Sequence, residues 1–151
     1  MVKAWLAATI IAMGIFLVDQ NIKFFFVDGL RLYTQCIDLI LVYNHGVAFS
    51  FFAFLGDNLK WIQLALIGGV IGYAVWLKEE CYLTPMAIMI GAALSNLSDR
   101  FIYGGVVDYV YWHCGFNFAV FNAADVMIDI AVVWLLILNM KPKLCSELSD
   151  I

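Results

Sequence analysis

Charge is scarce in this chain. Only 13% of its 151 residues are Asp, Glu, Lys or Arg, whereas 65% are hydrophobic. A soluble domain carries about a quarter charged residues and is about half apolar. One soluble core of this length could not bury so much apolar surface, which argues against disorder, fibrous structure and an ordinary soluble enzyme. The mean hydropathy of +0.94 points instead to a membrane protein. Proline is also sparse, at 2 residues, and the 11 glycines are an ordinary share that forms no glycine-rich run. No flexible linker divides the chain, so a single domain over residues 1–151 is expected. Basic residues number 8 against 12 acidic, a net charge of −4 without any basic run, which gives nucleic acid no electrostatic footing. Cys36, Cys81, Cys114 and Cys145 form no C-x-x-C pair, and only Cys114 has a histidine neighbour, His113. Zinc requires about four ligands at characteristic spacing, so no metal is expected, and most of the cysteines read as core or lipid-embedded thiols.

What is present is a set of four charge-poor stretches, approximately residues 4–26, 59–77, 83–103 and 123–140. A hydrocarbon core of about 30 Å needs roughly 20 helical residues, and each stretch comes within a turn of that. The first lacks a small-x-small cleavage site before Asp19 and is followed by three more spans, so it is read as a retained helix rather than a cleaved signal peptide. Two segments, approximately 27–58 and 104–122, fall on the side away from the termini. Leu39–Tyr43 reads as a buried strand, Phe49–Leu55 as an amphipathic, interface-seeking stretch, and the Val-, Tyr-, Trp- and Phe-rich second segment as strand. Strands cannot lie exposed in lipid. The expected fold is therefore four transmembrane helices with a small β-sheet domain and an amphipathic segment on one membrane face. Lys3, Lys78, Lys141 and Lys143 lie on the side of the termini, and Lys23, Arg31, Lys60 and Arg100 on the other. With Lys23 and Arg100 set aside as residues within helix ends, the balance favours cytoplasmic termini.

Ionisable groups at membrane depth are functional candidates by default. Asp19, Asp99, Asp108, Asp125 and Asp129 all fall within or just beyond the spans. Asp19 and Lys23 are spaced i, i+4 and can pair, whereas Asp99 and Arg100 sit about 100° apart on a helix and are not expected to pair with each other. Asn96 shares the face of Asp99. Asp108 and Asp125 have no basic residue within four positions, and both lie near the same membrane face. Two carboxylates converging in a low-dielectric site share one proton, and so offer a general acid and a general base together; helix capping or a solvated surface is the competing reading. Other chemistries fare worse. No serine has a lysine at helical spacing within a span, and His113 and Cys114 would point to opposite faces of a strand. There is no phosphate-binding loop and no H-E-x-x-H helix. His45 reads as a surface residue.

Five blocks in order resemble the lipoprotein signal peptidases (signal peptidase II) of bacterial inner membranes. Asp19–Lys23 resembles D-Q-x-x-K, Asn44–Ser50 resembles N-x-G-x-A-F-S, and Gly91–Arg100 resembles G-x-x-x-x-N-x-x-D-R. Val106–Tyr109 resembles V-x-D-F in its tyrosine form, and Phe121–Asp125 resembles F-N-x-A-D. The resemblance implies a membrane aspartic peptidase, a monomer with both termini in the cytoplasm and its site near the outer face. Its catalytic aspartates would be Asp108 and Asp125. Asp19, Lys23, Asn44, Gly46, Asn96, Asp99, Arg100, Asn122 and Ala124 would shape the site and substrate groove. The implied partners are prolipoproteins with a diacylglyceryl-modified cysteine, cleaved on its amino side, together with membrane lipids and inhibitors of the globomycin type. No metal or organic cofactor is implied. Ser95, Ser98 and Asp129 depart from the family pattern; Asp129 lies one turn beyond Asp125 and is expected to reach into the site or towards Gln63. With Cys36 and Cys114 both facing an oxidising compartment, a disulfide between them is an open option, although spacing does not fix their distance. The alternative function is a small four-span transporter or assembly factor using Asp19, Asp99 and Asp125 as a proton or cation path. Such a path would want carboxylates near the bilayer midplane, whereas four of the five aspartates lie towards one face.

Overall fold

The computed structural model describes residues 1–46, 55–141 and 143–145. Its helices are α1 (Val2–Val27), α2 (Asn58–Leu77), α3 (Leu83–Tyr103) and α4 (Ala123–Met140), and its strands are β1 (Ile37–Asn44) and β2 (Val106–Trp112). All four helices are long and apolar enough to cross a membrane, and the chain is a multi-pass membrane protein. The outer helices are apolar over most of their circumference, as lipid contact requires, and turn Lys23, Gln63 and Asp129 towards α3 or the groove. α3 is different: half of its span is buried, against 11–17% of the others. It is the central helix, packed on α1, α2 and α4, and its inward face carries the polar residues Ser95, Asn96, Asp99 and Arg100. The small residue Gly91 lets α3 approach α1 closely, since a Cβ there would meet the carbonyl oxygen of Ala12 and lie 2.9 Å from its Cα. Gly104, at φ +75°, ends α3 in the left-handed conformation that a side chain resists.

The two strands form one antiparallel sheet at the end of the bundle opposite the termini. Ile37 to Leu39 pair with Trp112 to Val110, and Val42 to Asn44 pair with Asp108 to Val106; one extra residue is accommodated between Leu39 and Val42. That bulge has a consequence for the site. In the unbroken register Asn44 would fall opposite Gly105, with its side chain on the face away from Asp108; the extra residue turns Asn44 onto the face of Asp108. Phe121 adds bridging hydrogen bonds to Tyr109 and Val110, which brings the start of α4 alongside β2.

The reading of most cysteines as core or lipid-embedded thiols is corrected by the structure. Cys36 is bonded to Cys114 at the far end of the sheet, and Cys81 to Cys145 beside the termini. Each pair joins segments remote in sequence that converge only in the fold, which linear spacing conceals. The stretch expected to seek the interface, Phe49–Leu55, lies outside the described residues except for Leu55.

The α1–α3 contact gives a direct test. Gly91→Ala should destabilise the protein by about 1–3 kcal/mol, because backbone rather than a flexible side chain must yield. Gly72→Ala, with nothing within 4 Å of the new methyl, should be neutral or stabilising. Thermal unfolding in detergent followed by tryptophan fluorescence checks both, and equal melting temperatures for the two variants would refute the close contact.

Candidate active site

The first turn of a helix leaves backbone N–H groups without partners, and in α4 they are taken by its own N-cap and by two residues of other elements. Asn122 is the N-cap: its Oδ1 accepts from Asp125 N (2.9 Å) while Asp125 Oδ2 accepts from Asn122 N (3.1 Å), a reciprocal capping box. Ala123 N donates to Tyr109 Oη (3.0 Å), and Ala124 N donates to Asp19 Oδ1 (3.0 Å). The end of α4 that carries Asp125 is therefore fixed by α1 and β2 together.

Asp19 belongs to a second, fully buried cluster. Lys23 is 2% exposed and Asp99 0%. The ammonium lies 2.8 Å from Asp19 Oδ2 and 2.7 Å from Asp99 Oδ2, and donates to Asn96 Oδ1 at 2.7 Å. These three partners match its three N–H donors. Ser95 Oγ donates to Asp19 Oδ2 (2.5 Å), Gln20 Nε2 donates to Asp99 Oδ1 (2.8 Å), and Val107 N donates to Asp99 Oδ2 (3.1 Å). Removing one partner from such a buried ion pair costs about 3–5 kcal/mol.

Above this cluster stand Asp108 and Asp125, linked by amides. Asn122 Nδ2 donates to Asp108 Oδ1 (2.7 Å) and lies 3.1 Å from Asn96 Oδ1; Asn96 Nδ2 donates to Asp125 Oδ1 (2.8 Å). Asn44 Nδ2 donates to Asp108 Oδ2 (2.9 Å), and its own Oδ1 accepts from Gly46 N (3.0 Å). Arg100 donates through Nη2 to Gly46 O (2.5 Å) and through Nε to Gln63 Oε1 (3.0 Å). Burial and the neighbouring Asp125 push Asp108 up to about 7. Burial likewise raises the Tyr109 hydroxyl to about 12, so it remains a neutral partner for α4. Both aspartates line a groove of about 720 Å³ between α2 and α4, floored by α3, which also contains Asn44, Gly46, Asn96 and Arg100 and is otherwise mostly apolar. The arrangement brings two carboxyl groups, held by neutral donors, to the mouth of an apolar groove. That suits shared-proton acid–base chemistry on a bound amide.

All eleven residues singled out from the sequence meet in this network, including Ala124 through its backbone. Asp19 and Lys23 pair as their spacing suggested, and Asp99 turns to Lys23 rather than to Arg100. Asp19 and Asp99 are thereby bound to Lys23, which takes two of the three carboxylates out of the cation path. Sequence reasoning gave no role to Gln20, Ser95, Gln63 or Tyr109. Gln20 stood inside a quoted motif, Ser95 stood out as a departure, and Gln63 was the one strongly polar residue of its span. Tyr109 likewise closed the motif around Asp108. Asp129 lines the groove but bonds to neither Asp125 nor Gln63, which corrects the expectation that it reaches them. His45 is exposed, as read, with Nδ1 3.1 Å from Gly104 O.

Comparison with known proteins agrees with this geometry. The family model described as "Signal peptidase (SPase) II" matches residues 11–141. The lipoprotein signal peptidase of Sulfurimonas denitrificans is 66% identical over 134 residues, covering 89% of this chain and 88% of that protein. The lipoprotein signal peptidase of Helicobacter pylori is 43% identical over 143 residues, covering 91% of each. A solved structure titled as a bacterial membrane enzyme superposes with a TM-score of 0.77 over 91% of this chain and 89% of its own, at 20% identity, a likeness of fold.

The raised pKa of Asp108 makes stability depend on pH with a defined sign. An unfolded aspartate titrates near 4, so between about pH 4 and 7 the native protein holds a proton that the unfolded chain has released. The stability contributed by this group is complete below about pH 4 and is lost as pH rises towards 7. The melting temperature in detergent should fall between pH 4.5 and 7.5 in the parent and fall less in Asp108→Asn. Parallel falls in the two proteins would refute the assignment.

Proposed function

The chain belongs to the signal peptidase II family of lipoprotein signal peptidases, and on that footing we propose that Asp108 and Asp125 are its catalytic pair. It is an aspartic endopeptidase acting on lipoprotein precursors. In our reading the precursor carries diacylglycerol on a cysteine, and the bond on the amino side of that cysteine is hydrolysed. The observation that carries this is the pairing of two largely buried carboxyl groups through neutral asparagines at the mouth of an apolar groove.

In this mechanism the attacking water is held between the two side chains. Asp125, at the positive end of α4, takes a proton from it as the oxygen attacks the scissile carbonyl. Asp108 holds its proton near neutral pH and gives it to the carbonyl oxygen, so that a neutral tetrahedral diol forms. When the C–N bond breaks, the proton on Asp125 passes to the departing nitrogen and Asp108 recovers one from the diol. The products are a signal-peptide acid and a lipidated cysteine with a free amino group. The amides of Asn44, Asn96 and Asn122 orient the carboxyl oxygens; those of Asn44 and Asn122 lower the proton affinity of Asp108, but less than burial and the neighbouring Asp125 raise it. Asp19, Lys23, Asp99 and Ala124 hold the start of α4, and Gly46 and Arg100 form the rim. Acyl chains buried in the groove hold the scissile bond in place.

We read residues 1–151 as one four-span peptidase domain, active as a monomer in the bacterial inner membrane and open to globomycin-type cyclic peptides. Cytoplasmic termini are supported by the burial of Lys23 and Arg100 within the bundle. Setting those two aside leaves Lys3, Lys78, Lys141 and Lys143 on one side against Arg31 and Lys60 on the other. The site then opens at the outer face.

Two measurements test the reading. Purified protein in detergent should shorten a diacylglyceryl-modified precursor on a gel and leave its unlipidated form intact; equal cleavage of both would remove the groove's assigned role. Asp108→Asn and Asp125→Asn should each lose nearly all turnover, and the double variant should be scarcely worse, because the two act as a unit. Substantial turnover by either single variant would show that the wrong pair has been assigned.

A further inference from the structure

One carboxyl group within the membrane is left without a task. Asp129 lies one helical turn, about 6 Å, below Asp125 on the same face of α4. It lines the groove beneath the pair and makes no hydrogen bond or ion pair with any described residue. Gln63, another polar residue of the groove, is turned to other partners: its Oε1 accepts from Arg100 and its Nε2 donates to Ala93 O at 3.0 Å. Asp129 is exposed to the groove, whose lining also includes the apolar Ile62, Leu66, Ile67 and Val126. An exposed carboxyl group without a protein partner, in an apolar groove at membrane depth, is open to a partner supplied by whatever fills the groove.

We propose that Asp129 is a specificity-determining residue that hydrogen-bonds the substrate about two positions before the scissile bond and favours a hydroxyl-bearing side chain there. This rests on the peptidase reading, which puts the scissile bond at Asp108 and Asp125 and the preceding signal-peptide residues deeper in the groove. The distance follows from geometry, because about 6 Å along the helix equals roughly two residues of extended substrate at about 3.3 Å each. The chemistry follows from the inventory of donors and acceptors. A serine or threonine hydroxyl both donates and accepts, so it pairs with a carboxyl group in either protonation state, which an aliphatic side chain cannot do. A contact to substrate backbone would be shared by every precursor and would select nothing.

The test uses two diacylglyceryl-modified precursors that differ only in serine or alanine two positions before the modified cysteine. The parent should cleave the serine form with a kcat/KM about fivefold higher, the size expected for one hydrogen bond, mainly through KM. Asp129→Leu should bring the ratio to about one, and Asp129→Asn, which keeps a donor and an acceptor, should retain part of the preference. An unchanged ratio in Asp129→Leu, an equal loss on both substrates, or no preference in the parent would overturn the proposal while leaving the peptidase reading intact. Failure of the parent to cleave either precursor would overturn the peptidase reading, and this proposal with it.

Discussion

The ammonium of Lys23 is the interaction on which the rest of the structure depends. It sits in the bundle interior between two carboxylates, one from its own helix and one from α3, and each carboxylate uses its remaining capacity to hold a different element. Asp19 reaches the start of α4 through Ala124 N, and Asp99 reaches β2 through Val107 N. One buried cation thus locks α1, α3, α4 and the sheet into a single relative position. Burial of charge is costly, and packed apolar residues could hold helices together at least as well. What they could not supply is directional anchoring of two particular backbone N–H groups, and those two groups set where Asp125 and Asp108 stand.

The division of labour between charged and neutral supports is consistent. Full charges lie in the lower layer, where one ammonium is shared by two carboxylates; the layer touching the carboxyl pair consists of asparagine amides. An amide orients a carboxyl oxygen about as well as a cation does, but perturbs its proton affinity less. Had Lys23 donated directly to Asp108, both carboxyl groups would ionise and the acid half of the chemistry would be lost.

Much of this was legible in the sequence, for identifiable reasons. The spans follow from scarcity of charge, and the strand at Leu39–Tyr43 from its β-branched run. The Asp19–Lys23 pair follows from helical spacing, because i, i+4 is a local relation. The partners of Asp99, the cap that Tyr109 provides for α4 and the cysteine pairing were not legible. All three are contacts between elements distant in the chain, and nothing local encodes them. The bulge between Leu39 and Val42 is subtler: the strand is apolar on both faces, so no alternation marks the residue at which the register shifts. Asn44 was found through a motif, but the reason it can reach Asp108 is that hidden extra residue.

The two cysteine pairs sit at opposite ends of a membrane-spanning bundle, Cys36–Cys114 on the sheet and Cys81–Cys145 beside the termini. A bilayer that separates an oxidising from a reducing compartment cannot present oxidising conditions to both. On the proposed orientation the pair facing the reducing side would be Cys81 and Cys145, and the tie it makes between the residues just before α3 and the segment after α4 would hold only where reductants do not reach it.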